Sequence, residues 1–108
     1  MHTKRKGYRV ERKIRLLFQK FGWKVVRAGA SLGEADLICL KKKECILLQI
    51  KSTSKKTFYY YGYNNSTLEG FLFFLVIDFG YGKIRILPPK QKVKVSEGQM
   101  LDDFLKSY

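Results

Sequence analysis

The chain has one histidine, two cysteines, two prolines and nine acidic residues in 108 positions, and each scarcity removes a class of function. His2 with Cys39 and Cys45 does not make a zinc site, which takes four nitrogen or sulfur ligands at characteristic spacings. No apolar run approaches the ~18 residues of a membrane helix; the longest, Phe71 to Ile77, ends at Asp78, Phe79 and Gly80. The basic amino terminus lacks an apolar signal core, so the expected compartment is the cytoplasm. The two prolines are adjacent, Pro88 and Pro89, and break the chain at one point only. The nine acids face 22 lysines and arginines, for a net charge of +13. Solubility alone asks for a net charge of ~2–8, so the excess points to a polyanionic partner, most simply nucleic acid. A ribosomal or membrane-surface role would share that charge. The length is that of one domain, residues 1–108, with a modest core.

Against this background the stretch from Ser31 to Ser52 stands out. Two apolar runs, about 34–40 and 44–52, flank a lysine-rich turn. Folding them about Lys42 and Lys43 pairs residues whose numbers sum to 85, which sets Asp36 opposite Gln49 with Cβ atoms roughly 5 Å apart. Strand side chains alternate, so Lys51 shares the face of Gln49, while Cys39 and Cys45 point to opposite faces. A disulfide is therefore not expected, and both cysteines read as small buried apolar residues.

Ahead of this hairpin, residues 1–6 read as a basic tail. From Gly7 to about Phe21, Val10, Ile14, Leu17, Phe18 and Phe21 recur at helical spacing, and Gly22 ends the helix. Residues 23–28 read as a strand and 29–33 as a small-residue loop. After Ser52 come a polar basic stretch and an aromatic cluster, Phe58 to Tyr63; Asn64 to Ser66 signal a turn that caps a short helix through Glu69. Residues 71–79 and 83–87 read as partner strands about Gly80 to Gly82. Ser96 and Glu97 open a final helix carrying Met100, Leu101, Phe104 and Leu105.

Glu11 borders the apolar face of the first helix, which can aim it at the end of the hairpin. Two acids (Glu11, Asp36), one amide (Gln49) and the Ile50 main-chain carbonyl are oxygen donors suited to a hard cation such as magnesium. Lys51 beside that ion can orient water or stabilise charge on a scissile phosphate, and Ser31 can hold a phosphate or a metal-bound water. Each residue alone has a plainer role: Asp36 as a strand-end acid, Lys51 as an edge lysine, Glu11 as the helix partner of Arg15, Ser31 as a turn serine. Their convergence in a +13 domain favours a metal site. Arg9, Arg12, Lys13 and Lys20 on the helix, Lys4, Arg5 and Lys6 ahead of it, and Arg27 at the end of the first strand form a candidate phosphate track. The tyrosine cluster invites base stacking but is read here as core or dimer packing.

The run from Gly7 to Ser52 resembles the archaeal-type Holliday junction resolvases of the PD-(D/E)xK nuclease superfamily. The likeness is carried by Gly7-Tyr8-Arg9-Val10-Glu11-Arg12, Gly22-Trp23-Lys24-Val25-Val26-Arg27, Ser31, Ala35-Asp36-Leu37-Ile38 and Leu47-Leu48-Gln49-Ile50-Lys51-Ser52. It implies an α/β, restriction-endonuclease-like core whose mixed, largely antiparallel sheet is flanked by helices. It implies catalytic roles for Glu11, Asp36 and Lys51 with a contribution from Ser31. It further implies a magnesium cofactor replaceable by manganese, a homodimer, branched double-stranded DNA as substrate, no small-molecule cofactor and no membrane, in an archaeal or archaeal-virus host cell. The family usually has a glutamate at the position of Gln49. Mrr-like and RecB-like nucleases look similar in using Gln-x-Lys, so Gln49 is read as a ligand. The expected function is metal-dependent, paired cleavage of four-way junctions. The alternatives are another PD-(D/E)xK DNA nuclease, restriction-like or repair, and a non-catalytic nucleic-acid-binding module whose metal site has decayed through Gln49.

Overall fold

A computed structural model describes residues 2–29 and 33–108, with residues 2–6 described by their backbone alone. The first helix, α1 (His2–Lys20), lays Val10, Ile14 and Phe18 on the sheet one turn apart, all buried. It closes with a Schellman arrangement: the N–H of Trp23 donates to Phe18 O and that of Gly22 to Gln19 O, with Gly22 at φ +91°. The helix begins at His2, so the basic stretch expected to be a tail lies within its first turns.

Next come β1 (Lys24–Arg27), β2 (Leu37–Lys41) and β3 (Glu44–Ser52). The β2–β3 pairing, Leu37 with Leu48 through Lys41 with Glu44, has the expected register. Lys42 and Lys43 turn the hairpin at φ +47° and +71°, the left-handed conformations of a type I′ turn, which favours asparagine and glycine. Beyond are β4 (Thr57–Tyr59), β5 (Thr67–Leu68), β6 (Phe71–Asp78), β7 (Ile84–Leu87), β8 (Lys92–Lys94), β9 (Gln99–Met100) and α2 (Leu101–Lys106). The main sheet runs β1-β2-β3-β6-β7-β9, with β5 on β6. Its β3–β6 pair is parallel and the other pairs are antiparallel. The expected mixed, largely antiparallel α/β architecture is the one observed.

Strand β3 is central and buried on both faces from Ile46 to Gln49, as a strand covered by a layer on each side must be. One face carries Ile46 and Leu48 into a core with Phe18 of α1 and Leu101, Phe104 and Leu105 of α2. The other face is covered by a two-stranded ribbon, β4–β8, and the chain after it: Tyr60 and Val93 share a buried cluster with Leu75 and Ile77, while Leu47 packs with Phe73, Ala28 and Ala35.

Two expected elements are corrected. Residues 58–69 form no helix: β4 pairs with β8, thirty-odd residues on, and β5 pairs with β6. The last helix starts at Leu101, not Ser96. The Glu97 side chain accepts hydrogen bonds from the Lys94 N–H and the Lys90 ammonium, Gly98 takes φ +78°, and Gln99–Met100 pair with β7 before the helix begins. Cys39 and Cys45 are both free thiols, as expected. Among the described residues no helix is long and apolar enough to cross a membrane.

Candidate active site

Asp36 stands one residue ahead of β2. Its N–H donates to Leu48 O at 2.7 Å, and its C=O accepts from the Ala28 N–H. That N–H bond is one residue out of the β2–β3 register, so the regular ladder ends at Leu37, and Asp36 and Gln49 come together through their side chains. Gln49 Nε2 donates to Asp36 Oδ2 at 2.9 Å, and the Ile50 N–H donates to the same oxygen at 2.8 Å. A strand residue's N–H and C=O leave on one side of the strand, so Ile50 turns its carbonyl edge towards Asp36 as well. Lys51, two residues beyond Gln49 and in register with Ile77 of β6, follows on the same sheet face.

Glu11 reaches this end of the sheet from α1. Its Oε1 accepts from Arg27 Nε at 2.7 Å, and Arg27 precedes Ala28, the residue bonded to the Asp36 carbonyl. Arg27, and not the expected Arg15, is thus its partner. Burial pushes the Asp36 carboxyl up from its ordinary range; the Ile50 N–H opposes this, the charge of Glu11 adds to it, and Lys51 and Gln49 oppose it. Glu11 and Lys51 thus both lie close enough for their charges to act on Asp36. Ser31 lies outside the described residues.

Among the described residues no group of three histidine, cysteine, aspartate or glutamate side chains is placed to hold a metal. The fit of a cation rests instead on two carboxylates, the Gln49 amide oxygen and the Ile50 carbonyl, a set of hard oxygen donors of the kind magnesium takes. Burial first and then the charge of Glu11 raise Asp36, and a divalent cation held between the two carboxylates would favour their charged forms. The residues fit such an ion with one charge fewer than a glutamate at position 49 would supply. The Gln49 amide group, meanwhile, occupies Asp36 by hydrogen bond.

The expected phosphate track divides. Arg9 and Arg12 are exposed on α1. Arg27 is engaged by Glu11 and lies over the Tyr8 ring at 5.8 Å. Lys13 Nζ is held at 2.9 Å by Asp78, a buried carboxylate at the end of β6 that also accepts from the Gly80 N–H. The side chains of Lys4, Arg5 and Lys6 lie outside what the structure describes.

Sequence reasoning missed Tyr60. Its ring is buried with Leu75 and Ile77, the β6 partners of Gln49 and Lys51. Its hydroxyl is wholly buried with no hydrogen-bond partner among the described residues, although the Tyr63 amide lies near; burial first, then the charges of Glu34 and Asp36, push its phenol up. The run of five aromatics hid this, because nothing in composition tells which tyrosine turns inward.

The family model for archaeal Holliday junction resolvase (Hjc) matches residues 2–105. Among curated proteins, a crossover junction endodeoxyribonuclease Hjc of Methanocaldococcus jannaschii is 40% identical over 58 residues, 54% of this chain and 43% of that protein. The chain thus spans less than half the length of this relative. Among solved structures, an Archaeoglobus fulgidus Hjc, described as a Holliday junction resolvase, matches 95% of this chain and 98% of its own with a TM-score of 0.71 at 16% identity, a likeness of fold. With residues 2–105 matched by that family's model, the chain belongs to the archaeal Holliday junction resolvase family.

Proposed function

We propose that this protein is a magnesium-dependent, structure-selective endodeoxyribonuclease that cuts four-way DNA junctions in two opposed strands. The observation that carries the reading is the meeting of Asp36 and Gln49 across the β2–β3 hairpin, with Lys51 on the same face and Glu11 brought to the same end by α1.

Glu11, Asp36, the Gln49 amide oxygen and the Ile50 carbonyl would hold the cation, which when bound supplies Lewis-acid polarisation of the phosphodiester. The protein's own part is positional and electrostatic. The Gln49 amide and the Ile50 N–H together hold one Asp36 oxygen in place. Lys51, adjacent to Ile50, orients the attacking water and stabilises the negative charge that develops on the phosphate. Arg27 holds Glu11 towards the sheet; Ser31, ahead of Asp36 in the sequence, contributes a phosphate contact. Arg9 and Arg12, with Lys4, Arg5 and Lys6, track the backbone of the arms.

A four-way junction has two-fold symmetry and needs two cuts, so a two-fold homodimer supplies the two sites in the required relation. The place of action is the cytoplasm of an archaeal or archaeal-virus-infected cell. The reading is tested with end-labelled four-way junction, flap and linear duplex of matched sequence in magnesium. Preferential paired cuts in the junction are expected. Equal cutting of all three would sink the resolvase reading in favour of a more general nuclease.

A further inference from the structure

Tyr59 and Tyr61 flank the inward-turned Tyr60 and do the opposite: they are 53% and 75% exposed, against 3% for Tyr60. Their rings lie within 9° of parallel with centroids 6.5 Å apart. Of the two roles expected for the cluster, core or dimer packing, Tyr60 takes the first, and Tyr59 and Tyr61 lie outside the core. Large aromatic faces left in water serve a partner more often than the fold, and several features say which partner.

The pair is firmly seated. Tyr59 ends β4, the Tyr60 N–H donates to Gln91 O at 2.7 Å, and the Tyr60 ring lies so close to Gly62 that a Cβ there would come within 2.6 Å of its hydroxyl. It is also close to the candidate active site, because Tyr60 is buried among the β6 partners of Gln49 and Lys51, on the face those two side chains share. Finally, it is ringed by positive charge. Tyr59 pairs across the ribbon with Lys92, and Thr57 with Lys94; this is the outer ribbon face, since Phe58 and Val93 turn inward. Lys55, Lys56, Lys92 and Lys94 are all exposed, and the ion pairs among the described residues involve none of them.

We propose that Tyr59 and Tyr61 form a stacking platform for an unpaired or unstacked nucleobase next to the cleaved phosphodiester, with Lys92 and Lys94 gripping the phosphates on either side. Parallel aromatic faces within a basic surface are the combination by which proteins bind single-stranded bases. A continuous duplex hides its base faces, whereas a branch point lets bases leave the stack, so the platform adds selectivity for branched over linear DNA. The inference rests on the nuclease reading for the position of the scissile phosphate, while the stacking itself does not require cleavage.

The test uses the full chain with 2-aminopurine placed at the branch point of a four-way junction, in a linear duplex and in a single-stranded oligonucleotide. The base's fluorescence falls when an aromatic ring stacks on it. The wild type is expected to quench the junction and single-strand probes and to leave the signal of the duplex probe, already low from stacking within the helix, unchanged. Tyr61→Ala is expected to lose the quenching and to bind the junction about tenfold more weakly, with duplex affinity unchanged; Tyr61→Phe, which keeps the ring, is expected to restore both. Quenching that persists in the double variant Tyr59→Ala/Tyr61→Ala overturns the proposal. So does a loss of affinity accompanied by a change of oligomeric state in sedimentation, which would make the pair a contact between copies of the chain. If the wild type ignores junctions but still quenches the single strand through Tyr61, the resolvase reading falls and the platform stands.

Discussion

Replacing Gln49 by glutamate changes one atom pair and should move stability and metal affinity in opposite directions. The Gln49 amide donates to Asp36 at 2.9 Å; a hydrogen bond to a charged acceptor contributes roughly 1.5–3 kcal/mol. Gln49→Glu removes that donor and sets a carboxylate at a buried position against the half-buried Asp36. Two like charges about 4 Å apart repel by about 4 kcal/mol at an effective dielectric constant of ~20, a penalty limited by uptake of a proton. Without metal, near pH 8, Gln49→Glu should therefore lose about 3 kcal/mol of stability. With a divalent cation the added charge attracts: even at the dielectric constant of water, a double and a single charge about 4 Å apart gain ~2 kcal/mol, about thirtyfold in affinity. Urea unfolding in chelator and in magnesium, with calorimetric metal titration, reads both effects. Equal stability in chelator would refute the Gln49–Asp36 bond as a structural tie. Unchanged metal affinity would refute Gln49 as a ligand.

Two further outcomes follow from local structure. Lys43→Gly relieves a left-handed backbone at φ +71° and should raise stability by about 0.5–1 kcal/mol, a few degrees in Tm by circular dichroism; a fall in Tm would contradict the turn geometry. Burial pushes the Cys39 thiol up to about 12; it raises Cys45 as well, but Cys45 is only half-buried on the other arm of the hairpin and open to reagent. At pH 8 an alkylating agent should modify Cys45 in the folded protein and Cys39 only after denaturant is added, as read by peptide mapping; equal rates would place Cys39 at the surface.

The hairpin was legible because two apolar runs flank a two-residue lysine turn, and the β2–β3 pairing follows the register which that turn sets. The register brings Asp36 near Gln49, but their meeting is made by side chains where the Asp36 N–H has left the ladder for Leu48 O. Glu11 was legible as a residue bordering a buried face, but its partner Arg27 was not, because the pairing depends on how α1 crosses the end of β1. The ribbon was illegible for a different reason. β4 finds its partner β8 across more than thirty residues, and Phe58 to Tyr63 is aromatic whichever way each ring turns. The inward Tyr60 and outward Tyr59 and Tyr61 are decided by that distant pairing. Gly7 likewise misplaced the start of α1: glycine costs only about 1 kcal/mol inside a helix, and α1 runs through it.

The central claim is that the end of this hairpin cuts a DNA junction with the help of a metal. Its most direct test is cleavage of a labelled four-way junction by wild type and Asp36→Asn, with and without magnesium. Asp36→Asn preserves size and removes the charge of a half-buried carboxylate. Paired cuts by the wild type that require magnesium and vanish in Asp36→Asn, with junction binding retained, are the predicted result. Undiminished cleavage by Asp36→Asn, or junction binding by the wild type with no cleavage under magnesium or manganese, would contradict the account.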